Sequence, residues 1–186
     1  MDSASIASDL TKVLVTEQQI HERIAEMCRR IEADYEGRPV LLIGVLRGAV
    51  MVMADLAREL RKLDVEMDWM AVSSYGASTQ SSGVVRIVKD LDTALAGRDV
   101  LIVEDVVDSG LTLSWLRENL ESRGPASVEI CALLRKPEAA KVEIDVKYVG
   151  FDIPTDFVVG YGLDYAEKYR NLRDVAVLAP HVYSGE

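Results

Sequence analysis

Residues 40–46 (VLLIGVL) and 100–103 (VLIV) are apolar at every position. A strand with one wet face alternates apolar and polar residues. An unbroken apolar run of strand length therefore belongs in a sheet covered on both sides, as in parallel sheets flanked by helices. The rest of the pattern supplies the covering helices. Residues 16–35 open with Thr16 and Gln19 at capping-box spacing and carry one apolar stripe, Ile20, Ile24, Met27 and Ile31, before Gly37 and Pro39 end the helix. A second helix is predicted from Gly48 to about Leu63, apolar around most of its circumference and so well buried, and a third over 111–122, closed by Gly124 and Pro125. Residues 65–73 alternate Val65, Met67, Trp69 and Ala71 on one face, as in a half-exposed strand. Residues 84–89 and 127–134 read as further strands, and KYVGF, FVVGY and VAVLA as short ones in the tail. This alternation predicts an α/β fold with a central, mostly parallel twisted sheet flanked by helices. The 186 residues suit one domain, 1–186, able to bury roughly 70% of its unfolded surface. No repeat or linker divides it.

Composition narrows the function classes. A formal net charge of −10 argues against nucleic acid or an anionic membrane as the main partner, though not against a local basic pocket. The most membrane-like stretch, residues 40–57, is cut by Arg47 and Gly48 and carries Asp55, so it cannot supply the roughly 20 mostly apolar residues of a spanning helix. The opening MDSASIASDLTKVL has no basic segment followed by a long apolar one, so no secretory leader is expected. Cys28 and Cys131 lie in apolar patterns without metal-ligand spacing and read as free core thiols of a cytoplasmic protein.

The second apolar run continues as VLIVEDVVDSGLTL, residues 100–113. Ligands of open parallel sheets bind beyond the carboxyl ends of the strands, which is where Glu104 and Asp105 fall. The following DSGLT should wrap from strand to helix, turning backbone N–H groups and the hydroxyls of Ser109 and Thr112 toward an anion, with Gly110 free to take positive φ. Acids beside a phosphate cradle would repel the ligand unless they hold something else, such as sugar hydroxyls or a divalent cation. The combination points to a ribose 5-phosphate. The plainer alternative is a strand ending in solvated acids, with Asp108 or Ser109 capping the helix. A Walker A ending is absent, which argues against a nucleoside-triphosphate hydrolase.

VLIVEDVVDSGLT closely resembles the phosphoribosyl-pyrophosphate signature of the type I phosphoribosyltransferases. VLRGA (45–49), SSYG (73–76), LLRK (133–136), VGFDIPTDFVVGYGLDY (149–165) and YRNL (169–172) resemble, in order, motifs of the hypoxanthine-guanine members. The resemblance implies transfer of 5-phosphoribosyl from phosphoribosyl pyrophosphate to hypoxanthine or guanine, giving IMP or GMP and pyrophosphate, with Mg²⁺. It also implies a homo-oligomer, dimer or tetramer, and a small hood built from the N-terminal segment and about 136–186 over a core of about 38–135. Regulators that bind RNA share the fold, but would want a basic face.

Residue by residue, the resemblance places Glu104 and Asp105 on the ribose hydroxyls, directly or through Mg²⁺, and Asp108 at purine N7 as general base. Ser109, Gly110, Leu111 and Thr112 form the 5′-phosphate loop, Leu111 standing where many relatives carry Lys or Arg. Arg47 and Gly48 take pyrophosphate together with Arg170 and a closing loop whose tip is Ser74 and Tyr75. The peptide before the basic residue, here Leu46–Arg47, can be cis in this family. Lys136 donates to the purine 6-oxo group, Phe157 stacks on the base, Val158 meets its edge through the backbone, and Asp164 holds a second Mg²⁺ through water. Standing alone, Arg47 would read as a surface arginine, Lys136 as a solvated lysine and Phe157 as a core residue. His21 and His181 fall outside every motif.

Overall fold

The computed structural model describes residues 3–74 and 85–184. After a 3₁₀ segment, Ser3–Asp9, the chain forms β1 (Leu10–Val15), α1 (Glu17–Tyr35), β2 (Val40–Leu46), α2 (Val50–Glu59), β3 (Val65–Ser74) and β4 (Val85–Lys89). It continues through β5 (Asp99–Val107), α3 (Leu111–Glu121), β6 (Ser127–Arg135), β7 (Tyr148–Asp152), β8 (Val158–Val159), β9 (Val175–Leu178) and α4 (Pro180–Tyr183). The central sheet has the order β4-β3-β2-β5-β6-β7. All its pairings are parallel except that of β4 with β3.

The two apolar runs are β2 and the first half of β5, and they are covered on both faces. Leu42, Leu101 and Val103 pack with Ile24, Met27 and Ile31 of α1 and Met53 and Leu56 of α2. Their neighbours Leu41, Ile43, Val100 and Ile102 pack with Leu113, Leu116 and Leu120 of α3. Odd and even residues thus enter different cores, so no position in the run can be polar. At the start of α1 the Thr16 hydroxyl accepts from the Gln19 N–H at 3.3 Å while the Thr16 N–H donates to Gln19 Oε1 at 2.9 Å. The helix ends at Glu36, in the left-handed conformation, and Gly37. Cys28 and Cys131 are free and buried, and burial pushes the Cys28 thiol up to about 12. Among the described residues, no helix is long and apolar enough to cross a membrane.

The structure corrects several expectations. α2 is shorter than Gly48 to Leu63: the chain leaving β2 first makes a turn, and the helix stops at Glu59, where Leu60 leaves the helical conformation. Its burial is one-sided: Val52, Met53 and Leu56 are buried, whereas Val50 and Met51 are exposed. In β3, Trp69 packs on the core but Met67 is exposed and Asp68 is buried. Asp68 stays charged there because it accepts N–H bonds from Trp69 at 2.7 Å and from Asp92 and Thr93 at 2.9 Å each. β5 runs four residues past the apolar stretch, through both acids to Val107. β7, inside the segment expected to form the hood, pairs with β6 in the central sheet. A separate antiparallel sheet, β1-β9-β8, joins the two ends of the chain.

From β2 the sheet grows one way to β3 and the other way to β5, and the helices that follow β2 and β5 lie on opposite faces. The chain therefore parts at the carboxyl ends of these two strands, the place where an open α/β sheet leaves a crevice.

Candidate active site

β5 stays paired with β6 as far as Val107↔Arg135, but with β2 only as far as Gly44↔Val103. Glu104 and Asp105 consequently sit where β2 has peeled away, and the turn after β2 folds against them. The Leu46–Arg47 peptide of that turn is cis. Gly48 is needed here: a Cβ on it would overlap the Asp105 carboxylate, and a Cβ on Gly162 of the small sheet's loop would overlap the Gly48 carbonyl. Asp105, the turn and the 160–162 segment are thus stacked at backbone contact.

A cavity of about 440 Å³ opens above this stack. The central sheet and the segments that follow its strands contribute Arg47, Gly48, Glu104, Asp105, Asp108, Thr112 and Lys136, and the small sheet with its loops contributes Phe157, Val158, Asp164 and Arg170. Val45, Leu46, Val72, Val106 and Leu163 also line it; the sequence motifs gave their side chains no binding role, because apolar residues carry no chemical signal of a site. Glu104 is buried with Asp105 as its charged neighbour, so burial first and that like charge second push its carboxyl well above the usual range. Burial raises Asp105 as well, partly offset by an N–H bond from Val106 at 2.8 Å and by the Arg170 guanidinium.

A second cavity, about 150 Å³, lies beside the first and is lined by Asp108, Ser109, Gly110 and Thr112 among others. Gly110 is the N-cap of α3, at φ 78°, and no side chain caps the helix. The capping alternative for Asp108 and Ser109 is therefore set aside: Ser109 Oγ only accepts a long bond from the Leu111 N–H at 3.4 Å. An uncapped helix start leaves N–H groups and the positive end of the helix dipole facing the cavity, which suits a phosphate. The Leu111 side chain does not line this cavity, so any part it has runs through its backbone.

Lys136 follows β6 directly and is 8% exposed, not solvated as a lone lysine would be. Its Nζ lies 3.4 Å from Asp108 Oδ2, and the Asp108 side chain is 59% exposed. Phe157 is no core residue: it is 41% exposed, edge-on to Tyr165 at 5.9 Å and tilted on Tyr183 at 5.3 Å between centroids. Arg170 donates to the Gly162 carbonyl at 2.7 Å and pairs with Asp164 at 2.9 Å, while its buried Nε has no partner among the described residues. Arg47 pairs with Glu167 at 2.8 Å. Sequence reasoning missed Glu167, although its place three residues before Arg170 is a signal for pairing. Ser74 closes β3; its side chain and Tyr75 lie outside the described residues, as does the rest of the expected closing loop.

A family model described as the phosphoribosyl transferase domain matches residues 12–166. The hypoxanthine-guanine phosphoribosyltransferase of Mycobacterium tuberculosis is 58% identical over 181 residues, covering 94% of this chain and 89% of the relative. That of Bacillus subtilis is 51% identical over 175 residues, covering 94% and 97%. A crystal structure of a hypoxanthine phosphoribosyltransferase from Staphylococcus aureus matches with a TM-score of 0.92 at 44% identity, covering 96% of this chain and 97% of that one. More than half identical to two such enzymes over alignments that span 94% of it, the chain belongs to the phosphoribosyltransferase family, among the hypoxanthine-guanine phosphoribosyltransferases.

Proposed function

We propose that the enzyme's purine salvage reaction, transfer of 5-phosphoribosyl from phosphoribosyl pyrophosphate to hypoxanthine or guanine, runs in the larger cavity with Asp108 and Lys136 reading one edge of the base. The observation that carries this is their pairing. An acceptor and a donor stand side by side at 3.4 Å on the cavity wall, matching the N7–H and 6-oxo groups of a 6-oxopurine. Adenine offers an amino donor at that position, which a lysine cannot accept. Phe157 supplies the stacking face, and Val158 the backbone beside it.

The 5′-phosphate takes the uncapped start of α3 with Ser109, Gly110 and Thr112, and the ribose hydroxyls take Glu104 and Asp105. Pyrophosphate takes Arg47, the Gly48 turn and Arg170, whose partnerless Nε is suited to an incoming oxygen. As N9 bonds to the anomeric carbon and the bond to pyrophosphate breaks, positive charge grows on the sugar, above the two acids. Asp108 takes the N7 proton, a general-base contribution of roughly 10²–10⁴.

The donor set also suits Mg²⁺. No group of three ligands sits together among the described residues, but Mg²⁺ is commonly held by one or two carboxylates with waters and substrate phosphates. Glu104, Asp105 and Asp164 all line the cavity and supply carboxylate oxygens. When bound, the ion neutralises charge on the departing pyrophosphate. Replacing Asp108 by Asn keeps the shape and removes the proton acceptor. Turnover should fall about 10²-fold or more while phosphoribosyl pyrophosphate binds within about tenfold of normal; near-normal turnover would refute the assignment.

A further inference from the structure

The geometry points to Glu167 as an internal rival of pyrophosphate, a carboxylate that holds the arginines of the leaving-group site and must give them up when the substrate binds. The inference rests on the reading of Arg47 and Arg170 as pyrophosphate ligands. Glu167 Oε2 accepts from Arg47 Nη1 at 2.8 Å and from Arg170 Nη2 at 3.4 Å. One anionic oxygen thus bridges the two guanidinium groups proposed to share the oxygens of the diphosphate.

The local backbone is arranged to bring it there. Ala166, Glu167 and Tyr169 have φ of 49°, 64° and 73°, a left-handed run that side chains other than glycine rarely adopt. The Glu167 N–H is held by Asp164 Oδ2 at 2.9 Å, so the turn is fixed independently of the carboxylate. Arg170 is likewise held without Glu167, through the Gly162 carbonyl and Asp164. The bridge is therefore not what positions Arg170. Its effect is to occupy guanidinium N–H groups, chiefly those of Arg47, whose side chain is 69% exposed.

A competitor of this kind should be weak enough to displace, and this one is: the Glu167 side chain is 60% exposed, and exposed ion pairs contribute little. It also favours turnover in the synthetic direction, since the carboxylate can retake the arginines as pyrophosphate leaves. Removing its charge should tighten pyrophosphate binding by about three- to tenfold, the scale of one or two exposed pairs.

The test is calorimetric titration of the enzyme with pyrophosphate in the presence of Mg²⁺, together with product inhibition by pyrophosphate, for Glu167→Gln, Arg47→Ala and the double variant. The expected result is tighter binding and stronger inhibition in Glu167→Gln, an unchanged KM for hypoxanthine, weaker binding in Arg47→Ala, and a smaller gain from Glu167→Gln once Arg47 is gone. Loss of a merely structural residue would not tighten a ligand. If Arg47→Ala weakens pyrophosphate but Glu167→Gln leaves it unchanged or weakens it too, Glu167 is inert or positions the arginines, and the inference falls alone. If Arg47→Ala leaves pyrophosphate affinity at the parent value, the reading of the leaving-group site falls, and this inference with it.

Discussion

Replacing Gly48 by Ala adds one methyl group at the most crowded point of the site. The new Cβ would overlap the Asp105 carboxylate, and the turn cannot back away, because its carbonyl already lies against Gly162. Either Asp105 swings out and gives up its 2.8 Å bond from the Val106 N–H, or the turn and the small sheet part. Overpacking of this kind costs about 1–3 kcal/mol, which for a chain of this length lowers Tm by about 2–12 °C. The larger effect should be on activity. Asp105 and Arg47 are on either side of the insertion, and an ångström of misplacement costs on the order of 10²-fold in rate. Thermal unfolding and steady-state kinetics with varied phosphoribosyl pyrophosphate measure the two effects. Gly97→Ala is the control: unlike Gly48 it has positive φ, 72°, and nothing lies within 4 Å of its Cβ. It should lose about 1–2 kcal/mol of stability through backbone strain and keep its activity. A Gly48→Ala enzyme with parental kcat/KM for phosphoribosyl pyrophosphate would refute the stacked arrangement of Asp105, turn and small sheet.

Lys136→Ala should raise KM for hypoxanthine and guanine by roughly ten- to a hundredfold, the worth of a charged hydrogen bond, and leave phosphoribosyl pyrophosphate nearly unaffected; equal losses for both substrates would count against it. Asp105→Asn should weaken binding of phosphoribosyl pyrophosphate in the presence of Mg²⁺, seen by calorimetry, more than it weakens binding of the purine. Asp68 makes a pH prediction: burial raises its carboxyl, but the N–H bonds from Trp69, Thr93 and Asp92 outweigh this and hold it below its ordinary value of 3.8. Its stabilisation is therefore complete above that value and lost as pH falls through the lower folded value. Asp68→Asn should be less stable at pH 7 by about 2 kcal/mol, and the gap to the parent should narrow in denaturant titrations below about pH 4.

What could be read from the sequence was whatever rests on local pattern. The uniform apolarity of β2 and of the first half of β5 reports two covered faces, and Thr16 with Gln19 reports a helix start, because each is decided within a few residues. The acids and DSGLT could be placed at a strand's end because the apolar pattern stops there. That same stop hid the last part of β5, where backbone pairing with β6 runs on past the two acids to Val106↔Leu134 and Val107↔Arg135. β1 was missed for a different reason: its partner β9 lies at the far end of the chain, and LTKVLV by itself has no covered face to announce. α2 was overestimated since apolar residues such as Val50 and Met51 need not be buried. The pairing of Asp108 with Lys136, and of Glu167 with Arg47, comes from contacts between distant segments, which spacing along the chain cannot express.

The most direct measurement is formation of nucleotide and pyrophosphate from phosphoribosyl pyrophosphate, Mg²⁺ and each of hypoxanthine, guanine and adenine in turn. A site in which Lys136 stands beside Asp108 should turn over the two 6-oxopurines and use adenine at least about 10²-fold less well in kcat/KM, since a lysine facing an amino group leaves two donors opposed. Comparable use of adenine, or no turnover of either 6-oxopurine, would contradict the account.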